Sequence, residues 1–202
     1  MIISLALLAG CTSPGTVPEA PPPPTGSPSA PATTTSSDEP TEKAKGAKND
    51  LKSGKLSRRL TSGDVAVRVN YSTSLPIAEW TASATKPIGV TATASMAGDE
   101  PKQKIYLSKL TITLDPRDET GEVDPPQPLT DEAAIEPGFL VSDPASYRQE
   151  FFIPALVPGS TTLTLRMRYE LLLESSGSGD AEAKDYSRRT VTDIVVVPIA
   201  AD

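Results

Sequence analysis

Thr162-Leu163-Thr164-Leu165-Arg166-Met167-Arg168-Tyr169-Glu170-Leu171-Leu172-Leu173-Glu174 carries an apolar side chain at every odd position and, as far as Glu170, a polar one at every even position. A period of two with one polar face is the pattern of a long, half-buried β-strand. The residues that follow, Ser175-Ser176-Gly177-Ser178-Gly179-Asp180 and on to Asp185, have turn and loop chemistry. A second apolar run then extends from Tyr186 to Ile199, so the two arms pair as an antiparallel hairpin. Within it Ile194-Val195-Val196-Val197 is apolar on both parities, which predicts a place in the middle of a sheet.

Working back from this hairpin, five more runs read as strands, seven in all. Val65, Val67, Val69 and Tyr71 alternate with Ala66, Arg68 and Asn70, and Ile88, Val90, Ala92, Ala94 and Met96 alternate with Gly89, Thr91, Thr93 and Ser95. From Lys104 to Leu114 the parity changes: Ile105 and Leu107 stand on one phase, Tyr106, Leu110, Ile112 and Leu114 on the other. A β-bulge near Ser108, or burial on both faces, accounts for the change. Phe139 to Ser142 and Tyr147 to Ile153 complete the set. Leu51 to Leu60 is compatible with a turn or two of helix, and no longer helical periodicity with caps occurs anywhere. Short strands, Pro and Gly turns and the absence of βα alternation predict an all-β fold, an antiparallel β-sandwich of immunoglobulin-like type.

The corner Leu156-Val157-Pro158-Gly159-Ser160-Thr161-Thr162-Leu163 resembles the approach to a late strand in immunoglobulin-like and fibronectin-like modules. That resemblance implies fold and no function. The Cys-Trp-Cys core of immunoglobulin domains is missing, which leaves Trp80 as the one candidate for its tryptophan.

The front of the chain reads differently. Ile2 to Ala9 is an apolar run closed by Gly10 and by Cys11, the only cysteine of 202 residues. Eight or nine helical residues rise less than half the roughly 30 Å hydrocarbon thickness, so the run is a targeting segment and not a membrane span. Leu8-Ala9-Gly10-Cys11 resembles a bacterial lipobox. The resemblance implies cleavage before Cys11, a diacylglyceryl group on its thiol, and a palmitate-type lipid anchor at the extracytoplasmic face of the cell membrane. Two acyl chains hold a protein stably where one is marginal. Met1 is followed directly by Ile2 and Ile3, without the basic residues that usually open a secretion signal.

From Thr12 to Asn49 there are nine prolines and no Ile, Leu, Met, Phe, Tyr or Trp. Such a composition buries too little apolar surface to offset ordering entropy and predicts a disordered tether, with polyproline II favoured at Pro21-Pro22-Pro23-Pro24. The chain therefore divides into a signal peptide (1–10), a lipidated cysteine with its tether (11–49) and a β-sandwich domain (50–202). In layout, with Leu60-Thr61-Ser62-Gly63-Asp64 and Ile105-Tyr106-Leu107-Ser108-Lys109-Leu110, it resembles surface lipoproteins of high-GC Gram-positive bacteria, the actinobacterial type.

Composition narrows the chemistry. With no histidine and one cysteine, Cys/His zinc sites, Ser-His-Asp or Cys-His nucleophile systems and internal disulfides are excluded. A net charge of −7, with no Lys/Arg block longer than Arg58-Arg59, argues against nucleic acid as a partner. The stretch Asp115 to Glu150 concentrates ten carboxylates against Arg117 and Arg148. Its opening, Asp115-Pro116-Arg117-Asp118-Glu119-Thr120-Gly121-Glu122, has calcium-loop character but fails the EF-hand pattern: arginine stands two residues after Asp115, glycine is seventh, and Pro125-Pro126 break the exit helix. A solvated connection between strands is the favoured reading. Paired carboxylates also serve glycoside hydrolysis, but nine aromatic residues offer few rings for a sugar cleft.

No enzyme, cofactor or metal is expected. The expected function is an anchored, non-catalytic sandwich that binds an envelope protein or cell-wall component. The alternatives are a transport system's ligand-binding component, which normally needs two α/β lobes, and a calcium-dependent adhesion module. Candidate partner-surface residues are Trp80 and the pair Phe151-Phe152, although rings in a chain with so few aromatics are more often core residues; adjacency in a strand points the two Phe rings to opposite faces.

Overall fold

The computed structural model describes residues 48–97, 103–175 and 184–202. Nine strands lie in it: β1 Lys55–Ser62, β2 Val65–Ser72, β3 Lys86–Met96, β4 Ile105–Arg117, β5 Leu129–Glu132, β6 Phe139–Leu140, β7 Tyr147–Ile153, β8 Thr162–Glu174 and β9 Tyr186–Pro198. The only helical element among the described residues is a single 3-10 turn, Ile77–Glu79. The signal peptide, lipobox and tether expected before Asp50 lie, but for Lys48 and Asn49, outside the described residues.

Two antiparallel sheets pack face to face. One has the order β1-β2-β3-β7, the other β5-β4-β8-β9 with β6 also on β4. With β2, β3 and β7 in one sheet and β4, β8 and β9 in the other, the chain crosses between layers as strands A, B, E and C, F, G do in an immunoglobulin-type sandwich, with β1 added outside A. Every residue pair of the decisive hairpin is in register, from Thr162 opposite Pro198 to Glu174 opposite Tyr186. Its odd-numbered residues Leu163 to Leu173 are all buried. They meet Val65, Val67, Val69, Tyr71, Ile88 and Val90 of the other sheet in one continuous core.

The parity change in β4 is a bulge. The pairing of β4 with β8 shifts register between Leu107 and Lys109, which leaves Ser108 as the extra residue and turns Leu107 and Leu110 both inward. Gly138 packs against this point at φ 133°, where an added Cβ would overlap the Leu107 carbonyl. The corner before β8 is also as expected. Leu156 is buried and its N–H donates to the Ala82 carbonyl at 2.8 Å, while the Ser160 hydroxyl closes the turn on the Val157 carbonyl at 2.6 Å.

Three expectations need correction. Residues 55–60 form an outer strand and not a helical turn, because Leu56, Arg58 and Leu60 also fit a period of two and all of β1 pairs with β2. Ile194 to Val197 lie on an edge strand: β9 has only β8 beside it, and Ile194 is 45 % exposed. Val196 is covered instead by the incoming chain, since Asp50 N–H donates to its carbonyl and its own N–H donates to Asp50 Oδ2, each at 2.9 Å. Trp80 is buried in the link between β2 and β3, far in sequence from the strand that holds the tryptophan of immunoglobulin domains, here β4.

Candidate functional site

Cys11 with Leu8, Ala9 and Gly10 lies outside the described residues. Of the three candidate surface rings, Trp80 and Phe151 are core residues, 0 % and 7 % exposed, and so present no partner surface. Strand geometry separates the Phe pair as expected: Phe151 faces the core and Phe152, opposite Pro87, is 59 % exposed on the outer face of the first sheet.

Five of the ten carboxylates between Asp115 and Glu150 are engaged, each with its own partner. Asp115 pairs with Arg166, Glu122 with Arg117 at 2.6 Å, Glu132 with Lys109 at 3.1 Å, and Asp131 accepts the Tyr147 hydroxyl at 2.6 Å. Asp118 Oδ1 is consumed by its own turn, accepting from the Thr120 hydroxyl and N–H at 2.7 Å and from Gly121 N–H at 2.9 Å, and these bonds hold its pKa below the usual carboxylate value. Among the described residues no three carboxylates converge as metal ligands would. Around Asp118 to Thr120, Gly159 to Thr161 and Ile199 to Asp202 lies an open bowl of 670 Å³. Its lining is apolar and acidic, with no cation.

Two polar groups are buried deeply. The Lys86 ammonium, with the side chain fully buried, donates to the carbonyls of Ala82, Ala84 and Pro154 at 3.4, 2.5 and 3.4 Å. Burial lowers its pKa, and the charge of Asp202 partly offsets this. Tyr169 donates to the Tyr71 hydroxyl at 3.1 Å, which donates to Asp193 Oδ2 at 2.9 Å, and both phenols are pushed well above the ordinary tyrosine value, first by burial. The chain continues through Arg58 to Asp50, whose Oδ1 lies 3.1 Å from Nη2. Both arrangements tie separate segments of the fold together, and Tyr71 also lines an open depression of 380 Å³ beside Lys55, Asn70 and Ser72.

A further candidate surface is the outer face of the first sheet, where register sets the side chains in rows. Arg59 stands opposite Arg68, which stands opposite Thr93; the next row is Ser57, Asn70, Thr91 and Arg148; the next Lys55, Ser72, Gly89 and Glu150. Arg59 and Arg68, with Thr93, Ser95 and Asp143, line a depression of 310 Å³. Sequence reading missed this cluster because Arg59, Arg68 and Arg148 come from distant parts of the chain and because β1 was hidden in an apparent helical turn. The usable signal was parity: Arg68 lies on the outward phase of its strand, and so does Arg59 once β1 is read with a period of two.

A scan against protein-family models matches none of them, and a search of curated proteins finds no relative of this chain.

Proposed function

We propose that this protein is a lipid-anchored, extracytoplasmic lipoprotein whose β-sandwich is a non-catalytic module that binds a component of the cell envelope. The observation that carries the reading is the position of the only cysteine, directly behind Leu8-Ala9-Gly10 and ahead of a proline-rich stretch that leads to the domain. The sandwich supports it by what it offers chemically: the buried Lys86 ammonium and the Tyr169–Tyr71–Asp193 chain are engaged within the fold, while a polar face spanning four strands is open to a ligand. A transporter's ligand-binding component is less favoured, because the described residues form a β-sandwich and not two α/β lobes.

Metabolic labelling with a palmitate analogue, followed by membrane fractionation, tests the anchor. The wild-type chain takes up label and sediments with membranes, and Cys11→Ser does neither. A Cys11→Ser protein still labelled and membrane-bound refutes the reading. Cross-linking on intact cells then identifies the component touched.

A further inference from the structure

The two outer faces of the sandwich handle charge in opposite ways. On the second sheet every cation of the central strands β4 and β8 has a carboxylate partner: Arg166 with Asp115, Arg168 with Glu170 at 3.5 Å, Lys109 with Glu132 at 3.1 Å and Arg117 with Glu122 at 2.6 Å; on the edge strand β9, Arg188 reaches Glu170 at 4.0 Å. On the first sheet Lys55, Arg59, Arg68 and Arg148 point outward, and among the described residues none has a carboxylate within ion-pair distance. Asp143 lines the depression beside Arg59 and Arg68 but pairs with neither. Arg59 and Arg68 are direct cross-strand partners. Like charges so placed destabilise a sheet unless an anion lies between them.

We propose that this face binds a polyanion with a phosphate backbone, a phosphodiester-linked polymer of the cell envelope, seated across β1, β2, β3 and β7 with one phosphate between Arg59 and Arg68. Paired guanidinium forks suit the several oxygens of a phosphate group. Arg148 lies one row further along, with Ser57, Asn70 and Thr91 between as neutral donors, so the face offers repeated anion contacts to an extended chain. It offers one exposed aromatic ring, Phe152, and no series of rings on which successive bases could stack, which disfavours nucleic acid. Its one exposed apolar ring, Phe152, stands at a far corner, too little to seat the face in a bilayer. The choice of an envelope polymer rests on the anchored location proposed above, whereas the anion site itself does not.

The test uses the full chain with linear polyphosphate as probe, and polyglutamate and phosphatidylglycerol vesicles as comparators. Polyphosphate should bind in preference to both, with an affinity that falls steeply with salt. Arg59→Ala/Arg68→Ala should weaken binding about tenfold or more, and Arg148→Glu should also weaken it. Arg166→Ala/Arg168→Ala removes the same charge from the opposite face and should change binding little. All these side chains are exposed, and an unchanged melting temperature confirms folding. No binding at low salt, equal losses in the two double variants, or preference for vesicles or polyglutamate overturns the proposal. Failure of the Cys11 labelling experiment would leave this binding result standing, so the two readings fail separately.

Discussion

Tyr71 is the residue on which the polar interior turns, because it accepts from one buried phenol and donates to Asp193 on the other sheet. Tyr71→Phe leaves the Tyr169 hydroxyl without its acceptor and Asp193 without its donor. The expected cost is about 1–3 kcal/mol in urea unfolding. The same tyrosines, together with Tyr147 and Tyr106, make stability fall at alkaline pH. In the unfolded chain they lose their protons near pH 10.0, whereas folded Tyr71 and Tyr169 keep them to higher pH. Their contribution is therefore complete below pH 10.0 and declines above it, by about 1.4 kcal/mol per pH unit for each group. Unfolding measured between pH 10 and 11 should show that decline, shallower by one such slope in Tyr71→Phe. At the centre of the core, Leu165→Asp should cost several kcal/mol in the same assay, since its side chain is fully buried.

At the scale of elements, the bulge in β4 decides which side chains enter the core. Without Ser108, Ile105 and Leu107 would point to the outer face, because a one-residue slip exchanges the faces of a strand. Gly138 fits beside this bulge only for lack of a side chain, so Gly138→Ala should lower stability by about 1–3 kcal/mol in a melting experiment. Here the sequence was legible: the hairpin, the bulge and all seven expected strands are present, since long alternating runs such as Leu163 to Leu173 admit one periodicity. It was illegible where patterns are ambiguous or short. Leu56 and Leu60 satisfy both helical and strand spacing, and only pairing with β2 resolves them. Leu129–Glu132 is a four-residue strand inside a proline-rich acidic stretch, and its place is set by β4. The candidate face was hidden for a third reason, because a row across strands joins Arg59, Arg68 and Arg148 from distant parts of the chain. Trp80 and Phe151 take the core role that such rings more often have, which the sequence alone does not separate from an interface role because large rings serve both.

For the whole molecule, a boundary near Asp50 predicts that limited proteolysis leaves a resistant fragment beginning close to that residue. Rapid cleavage within Val65 to Val69 or Leu163 to Leu173 would contradict it. The exact start matters because Asp50 covers part of the β9 edge. A chain beginning at Leu51 exposes that edge at Val196 beside the half-exposed Ile194, and should self-associate in light scattering where one beginning at Lys48 remains monomeric.

The attachment of Asp50 to β9 also has a mechanical meaning. A pull arriving from the N-terminal side would otherwise fall on β1, the outermost strand of its sheet, and peel it from β2 one bond pair at a time. Instead it meets Asp50 first, fastened to the opposite sheet by two backbone-directed bonds and braced by Arg58. Load is thereby shared between the layers, and the weakest strand is spared until this fastening breaks. In single-molecule extension between residue 48 and the C-terminus, Asp50→Ala should lower the force at which β1 first detaches. A domain pulled from its N-terminal side is then gripped at the seam between its sheets.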